Sequence, residues 1–357
     1  MLHPDLLKAS RALEISLPHL EAAATNSEDV LMNFRENLPG ILEECARNEG
    51  SCAPSETDKE SADVVLLGSI ARGESTSISD CDYFILQHGA SPAVSRQLIM
   101  AAEQARQEAG YRPPGAQGVF GNIVIAANLY ESIGLDVDSN ANMTRRLLLL
   151  IESKSVWGET RKKVIRNILQ RYCADYLPPN RLADSKVRIP RYLLNDLVRF
   201  WRTMAVDFGT KRWRTTKDES YLRLAKLRVT RKVLFAGPLA TLLMVTERIT
   251  SNEQLSEYLS EWIEKPPLAQ LASMHAALCD KSNVALSGIL QCYDEFIGLV
   301  GDEQNRKILE KRAENPSRLN ELKIECKRIG DCIHEYLVEI FWNDELLKEN
   351  FQKYGVF

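Results

Sequence analysis

Two acids and a glycine-serine pair stand out in the stretch "VVLLGSIARGESTSISDCDYFIL", residues 64–86. Gly68 and Ser69 end one apolar run, and Asp80 and Asp82 open the next. Glycine permits a tight turn close to a ligand, and amides at the start of a helix favour phosphate oxygens. Acids two apart in a strand share a face, where they can bind a hard cation such as Mg²⁺. These residues therefore predict a phosphate site beside a metal site, as phosphoryl or nucleotidyl transfer requires.

Two strands must position these side chains, and the apolar runs predict them at 63–67 and 82–87. A short helix is expected after Ser69. Further along, the pattern predicts a helix at about 93–109, a third β-rich run within 118–129 and a short fourth run at 133–140. From residue 141 onward almost every segment has helical spacing. The sequence thus predicts a small mixed module followed by a long helical region.

The spacing of the two halves resembles a known family motif. "GS", ten intervening residues and then "DCDY" resemble the Gly-Ser…Asp-x-Asp motif of the DNA polymerase β-like nucleotidyltransferase superfamily. The resemblance implies transfer of a nucleoside monophosphate from an NTP to an acceptor, with release of pyrophosphate. It also implies two sets of contacts, with the triphosphate at Gly68, Ser69 and Arg72, and with Mg²⁺ or Mn²⁺ at Asp80 and Asp82. Either half alone is common, and both halves between two apolar strands favour the functional interpretation.

A third acid normally comes from a later strand in this family, and its identity is open here. The third β-rich run, "NIVIAAN", contains no acid, whereas Asp136 and Asp138 follow it and Glu131 is a further candidate. We prefer Asp138 because "DSNANMTRRLLLLIES" resembles bacterial nucleotidyltransferases related to the PII-protein uridylyltransferases. In those proteins Asp-x-Asn precedes a Thr-Arg-Arg helix that ends in Glu-Ser. The resemblance predicts Asp138 as a catalytic metal ligand, and an ordinary helix cap is an equal alternative.

A basic segment lies within an otherwise acidic chain. Residues 188–232 contain nine Arg and four Lys against three Asp and one Glu, a net charge of +9 in a protein whose total is -4. Such a local excess suggests an anionic ligand. We predict that four basic residues on two helices bind the triphosphate, namely Arg199, Arg202, Lys226 and Arg231. For each of them a solvated surface position or an internal ion pair is the alternative.

Length and composition indicate a globular protein, either with two domains or with one compact core and a large helical appendage. The 357 residues are 45% hydrophobic and 26% charged. We expect an N-terminal helical extension and linker in 1–60, a nucleotidyltransferase core in 61–158 and a C-terminal α-helical domain in 159–357. No apolar run reaches the roughly 20 residues of a membrane span, the start lacks a signal-peptide pattern, and the eight cysteines form no CxxC pair. We therefore expect a cytoplasmic protein with no membrane contact, zinc site or disulfide framework.

The predicted fold class is α+β, with a small polymerase β-like core of mixed sheet and helices beside a large α-helical domain.

The expected activity is transfer of a nucleoside monophosphate from Mg-NTP to a protein side chain, an RNA or a small molecule. The uridylyltransferase relatives favour the protein acceptor. Two alternatives stay open, an RNA-modifying nucleotidyltransferase of a toxin or defence system and a catalytically inactive NTP-binding regulatory protein.

Overall fold

The fold is taken from a computed structural model. It describes residues 1–115, 119–174, 189–214, 221–245, 249, 251–276, 278, 280–310 and 316–356, with side chains omitted at 211–214 and 355–356. The chain forms two compact units, each built from separate segments. Unit 1 comprises Met1, Ala23–Ser185 and Thr250–Glu264, and unit 2 comprises Leu2–Ala22, Lys186–Ile249 and Lys265–Phe357. The predicted extension at 1–60 thus contributes to both units.

A four-stranded sheet lies in unit 1, in the order β3-β2-β1-β4. Its strands are β1 (Ala62–Leu67), β2 (Tyr83–Gln87), β3 (Ile123–Ile125) and β4 (Ser153–Trp157). β1 pairs antiparallel with β2 and β4, whereas β2 pairs parallel with β3. This small mixed sheet in a mostly helical chain confirms the predicted α+β class, while its membership of the nucleotidyltransferase fold stays a prediction.

Helices form most of the remaining described chain. In chain order they are α1 (Pro4–Ala12), α2 (Pro18–Asn48), α3 (Gly68–Ala71), α4 (Pro92–Glu108), α5 (Ala127–Tyr130), α6 (Asn140–Ile151), α7 (Thr160–Ala174), α8 (Arg191–Arg214), α9 (Tyr221–Arg228), α10 (Thr230–Leu243), α11 (Asn252–Ile263), α12 (Pro267–Ser273), α13 (Asp280–Gly301), α14 (Glu303–Glu310), α15 (Pro316–Asn343) and α16 (Glu345–Asn350). A 3₁₀ turn at Glu56–Glu60 and a π turn at Phe351–Val356 complete the set.

Helices cover both faces of the sheet in unit 1. Side chains alternate across a strand, so Val64 and Leu66 of β1 share one face, where they join a buried cluster with α2 and α4. Val65 and Leu67 point to the other face and are also fully buried. α7 contacts β1 and β2, and α6 contacts β4. Because both faces are covered, β1 reads as a continuous apolar run and not as an alternating one.

The described residues of unit 2 form helices and connecting loops with no strand, and α13 packs along α15. By length and composition alone α13 could cross a membrane, but 67% of its most apolar window is buried. Leu286, Ile289 and Phe296 are among its fully buried side chains. This burial is typical of the core helix of a soluble protein.

Two predictions about the sheet differ from the fold. The short fourth strand predicted at 133–140 was wrong, because residues 131–137 form turns and α6 begins at Asn140. The fourth strand is instead β4, in a region predicted to be helical. β4 is an edge strand in which Lys154 and Ser155 are only partly buried, so polar residues are tolerated there. Its sequence, SKSVW, therefore lacks a clear apolar pattern. Pairing with β1, and not local propensity, makes this segment a strand.

Candidate functional site

The glycine-serine turn and Asp82 lie side by side where β1 and β2 meet. The amide of Leu67 donates to the carbonyl oxygen of Asp82 at 2.8 Å. Gly68 comes next with a φ of +67°, a conformation that side-chain-bearing residues rarely adopt. A Cβ atom placed on Gly68 would lie 3.3 Å from Oδ2 of Asp82. Ser69 is partly exposed at the start of α3. The two halves of the motif therefore converge in space.

The two motif aspartates have different surroundings. Oδ1 of Asp82 accepts a hydrogen bond from the amide of Gly115 at 2.9 Å. The backbones of Asp80 and Arg112 form an isolated parallel β-bridge. The amide of Cys81 donates to the carbonyl oxygen of Arg112 at 3.1 Å. Both aspartates are partly exposed and both precede β2. The segment from Arg112 to Gly115 thus runs alongside the acids, a contact that spacing within the motif could not reveal.

Helix α2 fixes the loop that separates the two halves of the motif. The amide of Ser75 donates to Oγ of Ser27 at 3.0 Å, and Nδ2 of Asn26 donates to Oγ of Ser75 at 2.9 Å. A tight turn follows, in which the amide of Ser79 donates to the carbonyl oxygen of Thr76 at 2.9 Å. This turn returns the chain directly to Asp80. The position of the acid is therefore set partly by a helix that lies outside the motif.

Arg72 is engaged inside the protein, which differs from its predicted contact with the triphosphate. Its side chain is only 7% exposed. Nε donates to Oε2 of Glu74 at 2.8 Å, and Nη1 bonds to the carboxylate of Glu152. The carbonyl oxygen of Glu152 also accepts from the amide of Gly68 at 3.1 Å. These contacts give Arg72 a positioning role, and they occupy one of the amides that we expected to face phosphate.

The analysis of the sequence did not assign Glu152 a role, although a signal was present. It is the Glu of the Glu-Ser pair that closes "DSNANMTRRLLLLIES". In the fold it follows α6 and is almost fully buried. Glu152 therefore connects the end of α6 to the Gly68 turn, through its side chain and its backbone alike.

Asp138 has a partner that differs from the predicted metal ion. Its side chain is 3% exposed and forms a two-pronged ion pair with Arg146, with nitrogen–oxygen distances of 2.7 and 3.2 Å. Arg146 is fully buried, and it also donates to Oη of Tyr172 at 2.6 Å and to the carbonyl oxygen of Leu129 at 3.2 Å. A buried guanidinium needs such an anion, so the arrangement gives Asp138 a structural role.

The two other candidates for the third acid, Asp136 and Glu131, are exposed in the turn before α6. Among the residues that the structure describes, no group of three or more His, Cys, Asp or Glu side chains could hold a metal ion. The predicted trio of Asp80, Asp82 and Asp138 is thus not gathered. One or two carboxylates together with substrate phosphates commonly bind Mg²⁺, so the hard oxygen donors of Asp80 and Asp82 still fit this ion.

An open cavity of about 880 Å³ adjoins the motif on the side of α4. Gly115, which donates to Asp82, is part of its wall together with Tyr83, Met100 and Phe120. Glu103 also lines it and accepts from Oη of Tyr83 at 3.0 Å. Hydrogen bonds from Arg106 lower the pKa of Glu103 to about 2, so Glu103 is ionised at neutral pH and is ion-paired with the Arg106 guanidinium. The cavity offers a largely apolar space beside Asp82.

The four basic residues predicted to bind phosphate lie in unit 2. Arg199 and Arg202 are on α8, Lys226 is on α9 and Arg231 is on α10. Nη1 of Arg199 donates to Oδ1 of Asp196 at 3.1 Å, so this residue has an internal partner. Arg202 is exposed, and Lys226 and Arg231 are partly buried. Their contact with a triphosphate bound at Gly68 in unit 1 stays a prediction.

No protein-family model matches the sequence, and no curated protein matches it. The resemblance to the nucleotidyltransferases therefore rests on the motif residues and on their geometry.

Proposed function

We propose that this protein is a metal-dependent nucleotidyltransferase that transfers a nucleoside monophosphate from Mg-NTP to an acceptor and releases pyrophosphate. One observation carries the proposal, the 3.3 Å between Oδ2 of Asp82 and the position that a Cβ on Gly68 would occupy. A glycine turn that binds phosphate would have to lie close to the acids that hold the metal, because both would contact the same metal-bound nucleotide. The partial exposure of Asp80 and Asp82 is also in accord with an accessible site.

Three groups of residues have separate roles in this proposal. Asp80 and Asp82 would hold the metal ions, which stabilise negative charge on the attacking and leaving oxygens when bound. The absence of a side chain at Gly68 lets Asp82 approach the turn closely, and the hydroxyl of Ser69 can donate to phosphate oxygens. Arg72, Glu74 and Glu152 keep the turn in place through their buried ion pairs.

We propose a protein side chain as the acceptor, and RNA is the other arm of the test. The resemblance to uridylyltransferase relatives favours the protein acceptor. A cytoplasmic location is part of the same proposal, since Mg-NTP is the substrate.

The test supplies each of the four NTPs, labelled at the α-phosphate, with Mg²⁺ or Mn²⁺ and either cellular protein extract or total tRNA. We expect pyrophosphate release and transfer of label to the protein fraction. The variants Asp80→Asn and Asp82→Asn should lose both signals. Asp29→Asn is the matched control, because Asp29 is exposed on α2 and has no part in the motif. Equal activity of Asp82→Asn and the wild type would overturn the proposal.

A second candidate is an NTP-binding regulatory protein without catalysis. The observation in its favour is the ion pair of Asp138 with Arg146, which withdraws the preferred third acid from the metal site. Binding is measured by the shift of the melting temperature with Mg-NTP. A shift that Asp82→Asn abolishes, with no pyrophosphate release under any condition, would select this candidate over the enzyme. No shift and no turnover would exclude both.

A further inference from the structure

Helices α13 and α15 run antiparallel in unit 2, and two contacts fix their register. A Cβ atom on Gly288 would lie 2.3 Å from the ring of Tyr336, so this ring packs directly on the backbone of α13. About two turns further along α13, the guanidinium of Arg328 on α15 pairs with the carboxylate of Glu295. Moving forward along one helix therefore means moving back along the other. The absence of a side chain at Gly288 allows the two helices to approach closely.

Two cysteines lie between these contacts. Cys292 is one turn after Gly288, and Cys332 is one turn before Tyr336, so the register brings the two thiols face to face. The proximity also affects ionisation, because burial and then the neighbouring thiol of Cys332 raise the pKa of Cys292 to about 11. Both residues are free thiols. Cys292 is 9% exposed and Cys332 is more accessible.

We propose that Cys292 and Cys332 form a modification site, in which hydrogen peroxide oxidises the two thiols to a disulfide that cross-links α13 and α15. Cys332 is the more accessible thiol and reacts first. Its thiolate attacks the peroxide O–O bond, which gives a sulfenic acid and one water after proton transfer. The thiol of Cys292 then attacks that sulfur, the S–S bond forms, and the sulfenic oxygen leaves as a second water with the thiol proton. Two thiols lose two electrons in total, and one peroxide is reduced.

The experiment treats the full-length protein with hydrogen peroxide, blocks the remaining thiols with N-ethylmaleimide in denaturant and maps the peptides without reduction. We expect one cross-linked peptide pair that contains Cys292 and Cys332, the loss of these two free thiols, and recovery of both with dithiothreitol. Cys332→Ala should abolish the cross-link. Cys326→Ala is the matched control, because Cys326 is on the same helix and is fully buried. It should form the cross-link to the same extent as the wild type.

Three results would overturn the inference. The first is a cross-link that survives in Cys332→Ala, and the second is a sulfinic acid at Cys332 beside a reduced Cys292. The third is the survival of both thiols while the exposed Cys52 is oxidised in the same sample, since Cys52 reports that peroxide was sufficient. Circular dichroism of each variant shows whether the helices are retained.

Discussion

Asp82 and Asp138 were given the same predicted role, and the fold gives them opposite surroundings. Asp82 accepts from the backbone amide of Gly115 and faces the bare backbone of Gly68. Asp138 is closed into an ion pair with Arg146. The carboxylate of Asp82 is partly exposed, so it can reach a metal ion. A carboxylate on a buried guanidinium is already neutralised.

This difference shows that the surroundings of an aspartate determine whether its carboxylate can bind a ligand or serves the fold. Asp82 directly precedes a buried strand and lies across from the turn that ends the neighbouring strand. Asp138 lies two residues before a helix whose own Arg146 is fully buried and needs an anion. Each of the following four predictions tests or sharpens this contrast.

The largest effect is expected from Asp82→Asn. Losing one of the two proposed metal-binding carboxylates should remove several kcal/mol of transition-state stabilisation, which means a loss of about 10³-fold or more in turnover. Stability should change little, since an amide can still accept from Gly115. Pyrophosphate release and urea unfolding measure the two quantities. A tenfold loss or less would show that Asp82 does not bind an essential metal.

Asp138→Asn should give the converse result. It leaves Arg146 as a buried charge without its anion, so the free energy of unfolding should fall by about 3 to 5 kcal/mol. Turnover per folded molecule should be retained. Asp136→Asn, two residues earlier and exposed, should alter stability by less than about 0.5 kcal/mol. If Asp138→Asn instead removed activity while stability held, Asp138 would be the third metal ligand after all.

Gly68→Ala tests the contact between the turn and Asp82. Alanine at a φ of +67° should cost about 1 to 2 kcal/mol of stability. Gly110→Ala is a matched control, because Gly110 has a φ of +70° and nothing lies within 4 Å of its Cβ position. Both variants should lose similar stability, but only Gly68→Ala should need more Mg²⁺ for half-maximal turnover. Equal magnesium dependence in the two variants would argue against a site at this turn.

The smallest effect concerns a third aspartate, Asp63, which is fully buried on β1. It accepts from Oγ of Ser155 at 2.6 Å and from the amide of Arg161 at 2.9 Å, but burial dominates and raises its pKa from 3.8 to about 7. Between these pH values the folded state binds more protons than the unfolded state, so this group makes the protein more stable as the pH falls. The gain from pH 7 to pH 6 should be about 1 kcal/mol.

Asp63→Asn should remove that increment, which is measured as the difference between the pH dependences of wild type and variant in urea unfolding. Asp136→Asn, which exchanges an exposed carboxylate, should leave the wild-type pH dependence in place. An unchanged slope in Asp63→Asn would mean that Asp63 ionises at an ordinary pH.

Local signals in the sequence predicted much of the fold around the motif. β1, β2 and α4 lie within one residue of their predicted bounds, because each has a strong apolar pattern and a turn or glycine at its end. The Gly68 turn was predictable for the same reason. That it would meet Asp82 follows once the two strands pair.

The remaining parts depend on partners far along the chain. Arg72 meets Glu152 eighty residues later, and no local rule indicates that an arginine beside a glycine turn will be neutralised there. β4 becomes a strand through its pairing with β1. The sequence is equally compatible with two roles for Asp138, the metal ligand that the resemblance implies and a structural residue at the start of a helix. Only the burial of Arg146 distinguishes these two roles. The sequence alone does not show which residues far apart in the chain are buried together or form ion pairs.

The segmental make-up of unit 1 has a consequence for biosynthesis. α11 contacts α7, and Oε1 of Glu264 just after it accepts from the buried Arg161 at 2.9 Å. The motif and the sheet are complete on the nascent chain by Trp157, yet this helix and its carboxylate arrive about a hundred residues later. Unit 1, which carries Asp80 and Asp82, therefore cannot finish folding until the ribosome has translated the chain through Glu264. A nascent chain stopped at residue 174 would leave one face of α7 bare and Arg161 without its anion.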